Sequence, residues 1–153
     1  MILNNKIKIG VLTSSRADYG IYKPLLKKVY KNRFFDLNLL VFGSHLQKKH
    51  GYTINEILKD GYGKIFKIYG MPTKDDSKSI SIGYSKLNYN FSKFWNSNKF
   101  DYIFVLGDRF EMSAAVQAGI NYELKFIHIH GGETTLGSID NIYRHQISLA
   151  SDI

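Results

Sequence analysis

A chain of 153 residues, 44% hydrophobic and free of low-complexity tracts, is long enough to bury a core as one domain, which argues against disorder. The lack of cysteine excludes a disulfide framework, a zinc–thiolate site and a cysteine nucleophile. The formal net charge of +8 comes mostly from lysines scattered over the whole chain and not gathered in a stripe, so no nucleic-acid partner is expected.

In chain order, a short apolar run is followed by a helical pattern five times. The first run is Ile7–Leu12, and its helix is expected to open after Asp18 as N-cap, with Tyr22, Leu25, Leu26 and Val29 at helical spacing. The second, Leu37–Phe42, leads through Gly-Ser-His to a short helix near Ile54–Leu58. The third, Lys64–Tyr69, precedes a polar stretch and a longer helix reaching Trp95; the loop candidate Gly70–Ser79 reads as a mobile connection or an active-site lid. The fourth, Tyr102–Leu106, is almost wholly apolar, as a strand buried on both faces should be, and its helix spans Phe110–Gly119. The fifth, Phe126–His130, passes through a glycine loop into a helix near Ile139–Ala150. Strands and helices alternating at this spacing predict an α/β domain, a Rossmann-like parallel sheet with helices on both faces. The chain stops at Ile153, where a further strand should begin, so the reading is of a cut domain with an open sheet edge or an uncovered apolar face.

The start, MILNNKIKIGVLTSS, has no unbroken apolar segment of signal-peptide type, and no run approaches the length of a membrane span. A soluble, cytoplasmic protein without a membrane partner is expected.

Ligands of open α/β sheets gather beyond the carboxyl ends of the strands, and the notable polar residues fall there. Only four arginines occur, and three of them (Arg16, Arg109, Arg144) lie in such segments, which suits forked contacts with anions. After the first strand, Thr13-Ser14-Ser15-Arg16-Ala17-Asp18 puts small hydroxyls and an arginine at a helix start, a setting for phosphate. It is neither a GxGxxG fingerprint nor a P-loop, so no nucleotide cofactor is indicated. The plain alternative is an Asp18 cap beside a solvated Arg16. After the fourth strand, Gly107-Asp108-Arg109-Phe110-Glu111 places an arginine against the helix dipole. There the plain alternative is an Asp108 cap with Arg109 in a surface pair. After the fifth, His128 and His130 share one strand face ahead of Gly131-Gly132-Glu133, and Asp140 and Arg144 stand four apart, at salt-bridge spacing on a helix. His-x-His with one carboxylate is thin support for a metal, and none is expected. The cluster does offer several groups able to exchange protons in one cleft.

Four stretches in order and at family-like spacing, TSSRADYG (13–20), GSHLQKKHGYT (43–53), VLGDRFEM (105–112) and HIHGGETTLGSIDNIYRHQIS within 126–148, resemble the UDP-N-acetylglucosamine 2-epimerase family, in its hydrolysing branch from sialic-acid biosynthesis. The resemblance implies the N-terminal half of a two-domain fold of the glycosyltransferase-B type. Residues 1–153 would be that domain, the C-terminal UDP-binding domain would be absent, and full-length members would be homo-oligomeric. The implied reaction eliminates UDP from UDP-N-acetylglucosamine, or a related UDP-sugar, to a glycal. Water then adds with inversion at C2, giving N-acetylmannosamine or a related acetamido sugar. The resemblance makes Asp108, Glu133 and Asp140 the acidic catalytic candidates, Asp108 and Asp140 foremost; Asp108→Asn should then abolish turnover and leave the fold intact. Arg16, Asp18, His45, Arg109 and Arg144 would bind substrate. Many relatives carry a glutamate at the position of His130, so either His130 or Glu133 takes over that proton role. The alternatives are an inactive truncated fragment or binding module, and a non-hydrolysing 2-epimerase that keeps the UDP.

Overall fold

A computed structural model describes residues 6–153. The reading of the extreme N-terminus falls partly on residues 1–5, outside the described residues. Five parallel strands, β1 (Ile7–Thr13), β2 (Phe35–Val41), β3 (Lys64–Lys67), β4 (Tyr102–Leu106) and β5 (Phe126–Ile129), form one sheet in the order β3-β2-β1-β4-β5. The crossovers are α1 (Arg16–Lys31), α2 (Ile54–Asp60), α3 (Ser77–Ser97) and α4 (Phe110–Gly119), and α5 (Asp140–Leu149) follows β5. The architecture is the expected Rossmann-like one with helices on both faces. Because β2 and β3 are added on one side of β1 and β4 and β5 on the other, the winding reverses between β1 and β4. Open α/β sheets bind their ligands beyond the carboxyl ends of the strands at such a switch point.

Period-two alternation sends the strand side chains into two separate cores. On one face Leu12, Leu40, Phe42, Ile103 and Val105 meet Leu87, Phe91 and Trp95 of α3, Met112 of α4 and Ile147 of α5. On the other, Ile9, Val11, Leu37, Leu39 and Val41 meet Tyr19, Tyr22, Leu26 and Val29 of α1 and Ile54 and Ile57 of α2. α4 is buried almost all round because it lies between α3 and α5, with alanines 114, 115 and 118 allowing the close approach. On the α1 face β4 and β5 are covered only in part: Leu106 is buried with α1, while Tyr102, Phe104 and Ile127 stay half-buried. Ile7, Ile9, Phe35, Tyr102, Phe104 and Ile127 line an open apolar groove there of about 350 Å³. Asp152 and Ile153 run along the outer edge of β5, where the Asp152 N–H donates to the Phe126 carbonyl (2.9 Å) and the His128 N–H to the Ile153 carbonyl (2.7 Å).

Several boundaries depart from the sequence reading. α1 opens at Arg16, two residues ahead of Asp18, because Ser15 is the N-cap and Asp18 returns to it from the third helical position as a capping box. It also runs through Pro24, whose missing N–H would have met the Gly20 carbonyl, on an exposed turn. β3 ends at Lys67, as an edge strand with a lysine at each end. No helix among the described residues is long and apolar enough to cross a membrane.

Candidate functional site

The loop after β1 is built around Asp18, which is buried. Its Oδ1 accepts from the Thr13 hydroxyl (2.5 Å), and its Oδ2 accepts from the Ser14 N–H (2.9 Å), the Ser14 hydroxyl (2.9 Å) and the Ser15 N–H (3.0 Å). His45, carried on a 3₁₀ turn after β2 (Gly43–Leu46), has no exposed surface. Since the Thr13 hydrogen is given to Asp18, the Thr13 oxygen is left to accept, and His45 Nε2 donates to it at 3.0 Å. His45 Nδ1 lies 2.7 Å from the Thr53 hydroxyl. The side-chain polar atoms of Asp18 and His45 therefore all have partners within the protein, which fixes the shape of the β1 loop. Arg16, the first residue of α1, is largely exposed and pairs with Glu56 of α2 at 3.3 Å.

The loop after β4 turns at Gly107, whose φ of +80° suits glycine. Asp108 is not the cap of α4, as the plain reading had it; the N-cap is Arg109, and no side chain caps the helix. Asp108 reaches across to Arg144 of α5, and that ion pair replaces the i, i+4 pair expected between Asp140 and Arg144. Tertiary packing decides it: Arg144 lies on the buried face of α5 with only 5% of its side chain exposed, while Asp140 stays at the helix start, bonded to the Ser138 hydroxyl at 3.0 Å. Arg144 Nε and Nη1 are buried without a partner.

Arg109 Nε donates to Glu111 Oε1 at 2.5 Å. Glu111 is fully buried, and its Oε2 has no partner. Burial pushes the Glu111 carboxyl above its ordinary range, against the pull of Arg109. Burial also disfavours the Arg109 charge, but Glu111, with Asp18 and Asp140 farther off, more than offsets this and raises its pKa. Among the described residues the terminal nitrogens of Arg109 make no hydrogen bond to protein, and half of the side chain is exposed.

β5 brings in the last group. His130 holds a left-handed backbone (φ +63°) that lets its ring meet Glu133, and this contact keeps the Glu133 carboxyl below its ordinary pKa. Both are exposed at the mouth of the site. His128 points inward, with Nε2 2.7 Å from the Gly107 carbonyl and Nδ1 2.8 Å from the Ser148 hydroxyl, and burial lowers its pKa. No group of three His, Cys, Asp or Glu side chains poised for a metal occurs among the described residues.

The fold thus joins Asp108 to Arg144 directly and sets Arg109 within electrostatic reach of Asp18 and Asp140, and Glu133 within reach of Arg144. Arg16 is turned away toward α2. Glu111 and His128 were not among the candidate site residues. The sequence signal for Glu111 was a carboxylate on a helix apolar on every side; for His128 it was a polar ring at an inward strand position.

Residues 27–153 match the family model described as UDP-N-acetylglucosamine 2-epimerase. A hydrolyzing UDP-N,N'-diacetylbacillosamine 2-epimerase of Legionella pneumophila is 36% identical over 146 residues, 94% of this chain and 38% of that protein. A crystal structure of a UDP-N-acetylglucosamine 2-epimerase superposes with a TM-score of 0.82 at 15% identity, over 97% of this chain and 41% of the other. The Neisseria meningitidis UDP-GlcNAc 2-epimerase bound to UDP-GlcNAc gives 0.78 at 15%, over 95% and 38%. The chain spans well under half the length of each. The fold is that of the N-terminal half of such two-domain enzymes.

Proposed function

This chain belongs to the UDP-N-acetylglucosamine 2-epimerase family, and from that premise we propose that it is the N-terminal domain of a hydrolysing enzyme that releases UDP and N-acetylmannosamine, or a related acetamido sugar. The observation that carries the reading is the grouping of Arg109, with its terminal nitrogens uncommitted, and the Asp108–Arg144 pair beside the switch point of the sheet. The 36% identity to a hydrolyzing relative supports the branch.

The proton at C2 is weakly acidic, so the C1–O bond must break ahead of its removal, and positive character builds at C1. Carboxylates beside the switch point, Asp108 foremost, offset that charge, and Arg109 supports the departing diphosphate with its free fork. Inversion at C2 removes a proton from one face of the sugar and delivers another to the opposite face, which two groups accomplish more simply than one. Asp140 beside Ser138 and the His130–Glu133 pair supply the second. Asp18 and His45 act behind this set by fixing the β1 loop, and a C-terminal domain holds most of the UDP.

The test incubates the full-length protein as encoded with UDP-GlcNAc in deuterated water under proton NMR. Free UDP with N-acetylmannosamine deuterated at C2 is the expected result. UDP-ManNAc with UDP still attached would place the protein in the non-hydrolysing branch. Binding without turnover would make it a binding module.

A further inference from the structure

His128 makes contacts that the proposed chemistry leaves unused. Gly107, the left-handed pivot that aims Asp108 and Arg109, has both of its backbone polar groups tied to β5: its N–H donates to the Ile129 carbonyl (3.0 Å), and its carbonyl lies 2.7 Å from His128 Nε2. A carbonyl only accepts, so Nε2 carries the hydrogen. In a neutral ring Nδ1 is then the acceptor, and the Ser148 hydroxyl at 2.8 Å is its donor. Ser148 stands one helical turn beyond Arg144 on α5, and Arg144 holds Asp108. The glycine loop closes the arrangement: a Cβ on Gly131 would lie 2.7 Å from His128 Nδ1 and 2.8 Å from Ser148 Oγ, so the loop packs this closely only as glycine.

We infer that His128 is a positioning residue: as a neutral Nε2–H imidazole it locks the Gly107 turn to α5 and so fixes where the Asp108–Arg144 pair sits. The charged and titratable groups around the ring are Asp108 on the β4 turn, Arg144 on α5 and His130 on its own loop. Burial lowers the pKa of the ring, in keeping with the neutral form. Protonation would force Nδ1 to donate and turn the Ser148 hydrogen toward the Gly131 carbonyl, 3.4 Å away.

Nitrogen-15 NMR of histidine-labelled protein reads the tautomer without any substitution; Nε2–H at neutral pH is expected, and an Nδ1–H ring would overturn the inference. His128→Phe keeps the ring shape and removes both polar contacts, whereas His128→Gln restores a donor and an acceptor. The backbone amide resonances of Gly107, Asp108 and Arg109 should move in the Phe variant and return toward wild type in the Gln variant. The kinetic measurement rests on the reaction proposed above, the spectroscopic ones do not. Misplacing reacting groups by about 1 Å costs on the order of 100-fold, so His128→Phe should lower kcat by roughly that factor with KM changed less than about twofold, and Gln should recover most of it. Equal impairment in both variants, or none in Phe, would refute the positioning role. A wild-type enzyme without turnover would sink the reaction while the tautomer and the amide shifts still decide His128.

Discussion

The Asp108–Arg144 pair gives an asymmetric prediction. Arg144 exposes 5% of its side chain, and two of its nitrogens are unpartnered; Asp108 exposes 23%. Asp108→Asn strands a buried guanidinium, a loss that costs about 3–5 kcal/mol in buried pairs. Arg144→Met leaves a carboxylate that can still reach water and removes the two unpartnered donors, each of which costs about 1–3 kcal/mol when desolvated. The net effect should lie within about 1 kcal/mol of zero. The double variant should match or exceed wild-type stability, since a well-packed apolar replacement of a buried pair is often neutral or stabilising by about 1–4 kcal/mol. For a domain of this size 1 kcal/mol shifts Tm by roughly 2–4 °C, so Asp108→Asn should melt about 10 °C lower while its double variant recovers. The lone tryptophan, Trp95, is 2% exposed and serves as the fluorescence probe for urea titrations. Equal costs for the two single changes, adding in the double, would refute the reasoning, because independent sites add and coupled ones do not. The structure also amends the expectation that Asp108→Asn leaves the fold intact: lost turnover in that variant must be read beside its stability.

Further expectations follow from single contacts. The raised pKa of Glu111 means that the folded state holds its proton longer than the unfolded one. Stability should therefore fall as pH rises from the ordinary carboxylate range toward the folded pKa, and Glu111→Gln should flatten that slope in urea melts at a series of pH values. The lowered pKa of His128 acts in the opposite sense: its contribution is complete above about 6.5 and is lost as pH falls toward the folded value, and His128→Gln should remove that acid-side loss. Gly131→Ala drives a methyl into His128 and Ser148 and should cost about 1–3 kcal/mol, whereas Gly132→Ala, with nothing within 4 Å of its Cβ, should be close to neutral; thermal melts separate the two.

What the sequence carried was local. Apolar runs of strand length, the β-α alternation and the polar residues just past each strand were enough to place the sheet, both helical layers and the carboxyl-end loops, because period and strand direction follow from short-range pattern. Tyr102–Leu106 and Phe110–Gly119 kept their expected limits, although β4 is not buried on both faces as its apolar run suggested: Tyr102 and Phe104 stay half-buried beside an open groove. Which side chains meet across the fold was a different matter. Spacing alone paired Asp140 with Arg144, yet Arg144 turned inward and took Asp108, 36 positions away. Nothing in the sequence hinted that Asp18 and His45, 27 positions apart, are linked by a hydrogen-bonded chain through Thr13 and on to Thr53. Glu111 and His128 carried a sequence signal but no role, because a buried polar group is defined by what surrounds it. The sequence by itself determined the elements, their order and the loops where chemistry gathers. Only the tertiary structure decided which charges are paired, which are buried without partners and which stay exposed, because burial and partner choice are set by residues far apart in the chain and brought together by the two cores.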